Sequence, residues 1–600
     1  MPQLTEKRPF PCLSPKGFMI VDIETSEGFD CEEAFGSGHF QNRIVLFTAI
    51  ANFVMLTHAI AFPLISTDVD HWCRQPTGWN LSANTWKSIA IPLKTDGRYS
   101  QCTVYANPGD PNDTTVVECD AWDYDLERVN TSIVSEWNMV CYRRSLKLLG
   151  NAAFMAGSIV FLLTSGYIAD TFGRLPVVLG SATVLMVATL ASCFAPSYPV
   201  YLGTRFLLSG CTISLYAVTG TMLAEAASCA RRSTLLSVAL LMGHSLADTW
   251  TVILKWVRPF HWFHIQLLAV APTLLVTVFF LLAVESPRWL IASRRLEAAG
   301  RVMRRAAELN RVQSDGVTLL LERVERRLKT EIGMDVRTTR AADMARVARR
   351  RAAIMCLSLF CVIVAYRSLL LLRVRKSKVF PWMDWASICA NLLAYCFVLK
   401  FGNLTDRTRL ISIAFLNIGT LSLLGSIAAL AAIWVSSLDV VSSVVLVLAE
   451  ATSNATILLN IVYVIELFPT PIRAVAVCLS FVGARLGGTV GFFLPLLTRI
   501  HREDLAFVLI ASVEYSAAYC FQYLPREYGT YARLADADPT PSASMDSRRF
   551  MSPVDAMKCS LSPLRLNKKS PKNSPNSHSP LRLNKKSPKN TPKKRRTRTP

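Results

Sequence analysis

The chain has 600 residues, 51% of them hydrophobic, with a mean hydropathy of +0.32 and a formal charge of +22. That apolar content excludes a soluble globular protein of this length. The charge excludes an evenly basic surface: residues 286–351 hold 17 Lys/Arg against 8 Asp/Glu, residues 530–600 hold 17 against 4, and the rest taken together is neutral.

Residues 1–43 run polar and acidic, show no cleavable signal peptide, and read as a cytoplasmic N-terminus. About twenty apolar residues cross a bilayer core. Twelve such stretches follow, near 44–66, 145–169, 175–195, 199–222, 233–257, 262–284, 352–372, 382–402, 409–433, 438–464, 474–498 and 503–524. The seventh and eighth are the weakest and are separated by the basic run Arg373-Val-Arg375-Lys376-Ser-Lys378. Basic loops stay in the cytoplasm, and an even number of spans puts both termini there.

Residues 67–143 then fall outside the cell. They carry three N-x-S/T sequons, at Asn80, Asn112 and Asn130, and four cysteines, Cys73, Cys102, Cys119 and Cys141. This predicts a glycosylated loop with two disulfides, for which three pairings are open. Asn403-Leu-Thr405 faces the cytoplasm on this topology and stays bare. The other twelve cysteines have no metal-ligand spacing and read as small buried hydrophobes.

The chain divides into a first six-helix half at 44–284, a central cytoplasmic segment at 285–351, a second half at 352–526 and a tail at 527–600. Two motifs repeat in order. Gly166-x-x-x-Asp170 recurs as Gly402-x-x-x-Asp406, and Glu225-x6-Arg232 recurs as Glu466-x6-Arg473, at offsets of 236 and 241 residues. The pattern predicts duplication of a six-helix unit. Gly166 allows two helices to approach closely, Asp170 suits the positive end of the next helix, and Arg174 suits a carboxylate of the other half. Such contacts make a latch that forms in one conformer and breaks in another. An ordinary orienting loop is the plainer reading of either copy alone.

Gly166-Tyr-Ile-Ala-Asp170-Thr-Phe-Gly173-Arg174 resembles the signature loop of the major facilitator superfamily, and Arg205-x4-Gly210 resembles its second motif. Further strings resemble one branch, the organic cation/anion/carnitine transporters of solute carrier family 22. They are Asp70-His-Trp-Cys-Arg74, Trp122-x-Tyr124-Asp125, Ser135-Glu-Trp-Asn-Met-Val-Cys141, His261-Trp-Phe-His-Ile-Gln-Leu267, Glu285-Ser-Pro-Arg288-Trp-Leu290 and Glu466-Leu-Phe-Pro-Thr470. The resemblance covers about residues 40–526. It implies an all-α membrane protein of twelve helices in two six-helix halves, working by alternating access on small organic ions bound between the halves. No cofactor is implied. The chain departs from the family in three places: four loop cysteines where many relatives have six, a basic stretch after the seventh span, and Leu524-Pro-Arg526-Glu527 where Leu-Pro-Glu-Thr is usual.

Ionisable residues inside spans are costly unless paired or wet. They are Arg205, Asp248, Lys255, Arg367, Asp384, Glu450, Arg485 and Glu514. Arg485 lies in Gly483-Ala-Arg485-Leu-Gly487-Gly488-x-x-Gly491, where small-x-x-x-small spacing lets backbones meet. A guanidinium there suits a carboxylate. By resemblance, this position is often acidic in cation carriers and often Arg in carriers of organic anions and carnitine. The bland reading pairs Arg485 with Glu514 or Glu450. Asp248 and Lys255, about two turns apart on one face with His244, either line the cavity or neutralise one another. Lys255 is also placed to snorkel, and Asp384 opens the eighth span. Tyr216, Trp250, Tyr366 and Tyr463 are candidate faces for an amphipathic ion, with lipid-facing packing as the alternative. Gln266 is a wall residue or a helix cap. Glu285, Arg288, Arg232 and Arg473 join the gating set.

The central segment predicts amphipathic helices beneath the bundle, touching anionic lipid. In the tail, Ser562-Pro-Leu-Arg-Leu-Asn-Lys-Lys-Ser570-Pro-Lys-Asn573 recurs at 579–590. Its Ser-Pro and Thr-Pro steps suit a proline-directed kinase, and its charge suits anionic headgroups. No nucleic-acid reader and no nucleophile–base set, metal cluster or phosphate loop is present, so an enzyme is not expected. The reading is a plasma-membrane carrier of anionic or zwitterionic organic ions. The alternatives are an organic cation carrier and a transport-inactive receptor or scaffold.

Overall fold

The computed structural model describes residues 31–94, 97–108, 114–126, 131–228, 231–256, 261–331, 337–377, 379–401, 407–493 and 503–522. All belong to one compact unit, Met1–Ala537; the second unit, Asp538–Pro600, lies outside the described residues. So do the repeat-bearing tail, Asn112, Asn130, Gly402, Asp406 and the side chain of Lys255.

Among the described residues, twelve helices are long and apolar enough to cross a membrane. Spans 1 to 6 are His39–Ile65, Cys141–Phe172, Arg174–Cys193, Tyr198–Ala226, Arg232–Leu254 and Trp262–Leu282. Spans 7 to 12 are Ala348–Lys376, Trp382–Lys400, Arg407–Ala431, Leu438–Leu467, Thr470–Gly491 and Asp504–Phe521. Large apolar side chains point outward from them, such as Leu281 at 80% exposure and Leu393 at 71%. Water would not tolerate such a belt, whereas lipid does. The protein is a multi-pass membrane protein.

The repeat reads out in the packing. Span 4 packs on spans 1, 2 and 3, and span 1 also on span 5; span 10 packs on spans 7, 8 and 9, and span 7 also on span 11. Adding six to each member of the first set gives the second. Between halves, span 2 meets span 11 and span 5 meets span 8, which the same exchange interconverts.

Two of the shifts from the expected span boundaries have a cause in side-chain contacts. Span 1 starts at His39 rather than 44, because Asn310 accepts the Phe40 N–H at 2.9 Å and ties the first turn to the central segment. Span 7 does not stop at 372. It runs through Arg373 and Lys376, since Arg373 meets Glu450 at 2.5 Å and Asp384 at 2.6 Å, and Lys376 meets Asp439 at 2.6 Å. Paired cations do not need to leave the helix. At its other end the same helix begins at Arg337, so the expected boundary at 351/352 does not interrupt the backbone. The central segment otherwise forms helices Pro287–Ala292, Leu296–Asn310 and Asp315–Glu331.

Residues 67–143 form a small lid on the face opposite that segment. Strands β1 (His71–Cys73) and β4 (Trp122–Tyr124) pair antiparallel, as do β2 (Thr103–Tyr105) and β3 (Val116–Glu118). Two of the strings singled out in the sequence are therefore partners, with His71 opposite Tyr124 and Cys73 opposite Trp122. Of the three pairings left open, Cys73 is joined to Cys119 and Cys102 to Cys141. Asn80 is exposed. Trp137 of the lid packs among Tyr198, Tyr201 and Trp262 at the ends of spans 4 and 6. The Tyr124 hydroxyl, pushed up to about 12 by burial, keeps its proton and donates to Asn138 Oδ1 at 2.9 Å. Tyr124→Phe removes one such bond, and is expected to cost about 1 kcal/mol of lid stability. Limited proteolysis of the lid in increasing urea reads this as an earlier midpoint.

Candidate functional site: contacts between the halves and the surroundings of Arg485

Span 2 ends at Phe172, and Gly173 turns the chain with φ +123°, a conformation that favours glycine. Span 3 starts at once and has no side-chain cap of its own. Glu285 supplies it, accepting the Arg174 N–H at 3.0 Å and the Leu175 N–H at 3.1 Å. Burial raises the Glu285 carboxyl above the usual range, while the N–H groups it accepts oppose the rise. Ser286 then caps the next short helix through Trp289 N–H at 3.2 Å, with Pro287 in its first turn. Trp289 Nε1 donates to the Asp170 carbonyl at 2.9 Å, and Arg288 donates to the Ala227 carbonyl at 3.1 Å. The Glu285–Leu290 string is thus a clamp holding the ends of spans 2, 3 and 4 together.

Asp170 does not cap the next helix, as its position in sequence implied. That place is taken by Glu285. Asp170 lies on the last turns of span 2 and reaches the other half, accepting Ala474 N–H at 3.3 Å and Val475 N–H at 2.8 Å at the start of span 11. Gly166 makes the approach possible: a Cβ there would fall 2.9 Å from the Ala474 carbonyl oxygen and the Val475 Cα.

Arg174 also differs from expectation. Its carboxylate partners belong to its own half: Glu225 at 2.8 Å and Asp170 at 3.0 Å. Across the divide it donates to the Thr470 carbonyl at 2.9 Å. An ion pair that does cross between the halves is Arg473 to Glu225, at 3.4 Å. Arg174, Glu225 and Arg473 have side chains 0% exposed, so one carboxylate answers two buried guanidiniums. In the repeat, Glu466 pairs with Arg407. Arg232 is buried at the start of span 5. At this face the two halves are locked.

Around Arg485 of span 11, residues of spans 1, 4 and 7 come together between the halves. Gly483, Gly487 and Gly491 seat span 11 on the backbone of span 7: added Cβ atoms would lie 1.9 Å from the Cys356 oxygen, 2.3 Å from the Phe360 oxygen and 2.8 Å from the Val364 oxygen. Arg485 therefore projects elsewhere. Its Nη2 points at Met55 Sδ of span 1, 3.2 Å away, and its Nε has no partner among the described residues. Neither carboxylate proposed for it answers. Glu450 is taken by Arg373, and Glu514 is fully buried with neither oxygen bonded among the described residues. Around Arg485 stand Arg367 and Tyr216, and Tyr216 stacks on Phe481 at 5.7 Å. Tyr366 lies within electrostatic reach of Arg367, Asp248 and Glu450.

Asp248 is partly buried near Glu450 and Arg373, with no hydrogen-bond or ion-pair partner among the described residues. His244 of the same helix meets Asn52 at 2.7 Å and lies 5.6 Å from the Tyr395 ring. Two other aromatic candidates stand apart from this group. Trp250 packs with the cluster under the lid, and Tyr463 packs on Phe521 of span 12 at 5.8 Å. Gln266 does not cap span 6, a place taken by His261; it donates to Ser192 of span 3 at 3.2 Å. Arg205 is buried beneath the lid between the Phe62 and Phe154 rings and donates to the His58 carbonyl at 3.1 Å. Met55, Phe481 and Tyr395 went unnoticed in the sequence, since nothing in the order of residues distinguishes them from lipid-facing neighbours.

Residues 126–521 match the family described as sugar (and other) transporter. The chain is 25% identical to solute carrier family 22 member 6 of Mus musculus over 512 residues, covering 82% of this chain and 90% of that protein. It is 28% identical to organic anion transporter 3 of Homo sapiens over 476 residues, covering 76% and 82%. Its fold superposes on the proton:xylose symporter XylE bound to 6-bromo-6-deoxy-D-glucose with a TM-score of 0.58, at 14% identity, over 83% of this chain and 98% of that one. The chain is a membrane transporter and not an enzyme; it belongs to the sugar (and other) transporter family, has the major facilitator fold, and has its curated relatives in solute carrier family 22.

Proposed function

We propose that this protein carries small organic ions bearing a carboxylate across the plasma membrane by alternating access, with the surroundings of Arg485 between the halves as the binding site and both termini in the cytoplasm. The observation that carries the reading is Arg485, a buried guanidinium between the halves with no carboxylate partner among the described residues. A buried cation without a counter-ion is costly, and a substrate carboxylate relieves that cost through two parallel hydrogen bonds. Arg367 adds positive potential, and Tyr216, Phe481 and Tyr366 offer ring faces to the organic body. The relatives named organic anion transporters agree with an anionic preference. The basic central segment and tail favour the cytoplasmic side for their face. Release of Asp170 from span 11 and of Glu225 from Arg473 would open that side.

A second reading is favoured by Asp248, a carboxylate with no hydrogen-bond or ion-pair partner among the described residues, near Glu450 and Arg373: here the substrate's cationic group is what the site holds. The two are separated by uptake in cells with verified surface expression. The panel is labelled carnitine, a dicarboxylate, an aromatic monocarboxylate and a quaternary amine. Saturable carboxylate uptake is expected. Uptake of the quaternary amine alone, lost in Asp248→Asn, would carry the second reading. No uptake of any of them would favour a receptor or scaffold.

A further inference from the structure

Where span 1 leaves the central segment, a cleft of about 460 Å³ is lined by His39, Asn42, Arg43, Leu46, Glu308, Leu309 and Arg311. His39, Asn42, Arg43 and Leu46 fall at i, i+3, i+4 and i+7 of span 1, so they share one helix face. The opposite wall is the end of helix Leu296–Asn310, fixed in place by Asn310. That side chain accepts from Phe40 N–H at 2.9 Å and donates to the Gly36 carbonyl at 2.8 Å. The cleft is therefore held open by the fold.

Its chemistry is that of a bilayer boundary. Leu46 is 42% exposed on the apolar run of span 1, one turn beyond Arg43, which marks the junction of polar and apolar sequence. The side chains of Arg43 and Arg311 have no ion-pair or hydrogen-bond partner among the described residues, and His39 is exposed beside them. Glu308 is the one carboxylate of the lining, so two guanidiniums outweigh it. A group bound here needs an anionic head with oxygens for two arginines and an apolar body that continues along Leu46.

We propose that this cleft is a binding site for an anionic phospholipid, its phosphate held by Arg43 and Arg311 and its acyl chain laid along Leu46. Guanidinium matches phosphate through paired hydrogen bonds. Anionic lipids concentrate in the cytoplasmic leaflet, the side to which the basic segments assign this face. The site lies between span 1 and the central segment and shares no residue with the surroundings of Arg485, so it stands independently of the substrate reading.

The test uses full-length protein purified in mild detergent. The thermal midpoint is measured with added phosphatidylglycerol, with phosphatidylcholine and with inorganic phosphate, and bound lipid is counted by native mass spectrometry. The wild type is expected to be stabilised by phosphatidylglycerol alone. Arg43→Gln with Arg311→Gln should lose most of that shift and one retained lipid, while Arg43→Lys with Arg311→Lys recovers part of it. Arg301→Gln with Arg304→Gln removes equal charge from the exposed face of the neighbouring helix and should keep the full shift. The proposal is overturned if the cleft variant keeps the shift, if the control loses as much, if the wild type shows none, or if inorganic phosphate reproduces it.

Discussion

Glu225→Ala is expected to be the most damaging single substitution in the latch. Glu225 accepts from Arg174 at 2.8 and 3.1 Å and from Arg473 at 3.4 Å, and all three side chains are 0% exposed. Removing it leaves two guanidiniums in the interior, with Asp170 as the remaining counter-ion of Arg174. Breaking a buried pair by deleting one partner costs about 3–5 kcal/mol, a large part of a typical stability of about 5–15 kcal/mol. Surface yield and the thermal midpoint of purified protein should both fall sharply. Glu225→Gln keeps the shape and one acceptor, so its loss should be smaller. The counterpart Glu466→Ala should be milder still, because Arg407 is 15% exposed and can turn to water. A wild-type midpoint in Glu225→Ala would mean the latch is held by backbone contacts alone.

Gly483→Val is expected to displace span 11 from span 7. A Cβ at Gly483 would lie 1.9 Å from the Cys356 carbonyl oxygen, which is backbone and cannot rotate away. Overpacking costs about 1–3 kcal/mol even where side chains give way, so the helix must move instead. Arg485 lies half a turn further along the same helix and moves with it. Uptake should therefore be lost even where some protein still reaches the surface. Gly488→Ala is the control, since its nearest neighbours would be 3.7 Å away. Equal loss in both would show that close packing of span 11 on span 7 is not what sets the defect.

The spans and their halves were legible because apolar length and repeated motifs are one-dimensional signals. The clamp around Glu285 was legible as a string but not as a mechanism. Its carboxylate serves a helix 110 residues earlier in the chain, and no local pattern encodes that. The roles of Asp170 and Arg174 were misassigned for the same reason. A carboxylate beside a helix start is read locally, yet here a second carboxylate from afar took the local place and freed Asp170 to cross between halves. Arg485 was found because a cation in an apolar span is conspicuous. Its silent partners, Met55 and Phe481, were hidden because core, lipid-facing and cavity-lining residues share one composition. The basic run after span 7 read as a loop, since its three carboxylate partners lie 11 to 77 residues away in other helices.

The central claim is that Arg485 selects a carboxylate. It is tested by initial uptake of the aromatic monocarboxylate and of the quaternary amine, side by side, in wild type, Arg485→Ala and Arg485→Lys at matched surface levels. A hydrogen-bonded charge pair contributes about 1.5–3 kcal/mol, so carboxylate uptake should fall by about tenfold to a hundredfold in Arg485→Ala. Arg485→Lys should recover only part of it, because a lysine offers a charge but not the two-pronged fork. Carboxylate uptake that is indifferent to both substitutions would contradict the account and make Arg485 a packing residue of span 11.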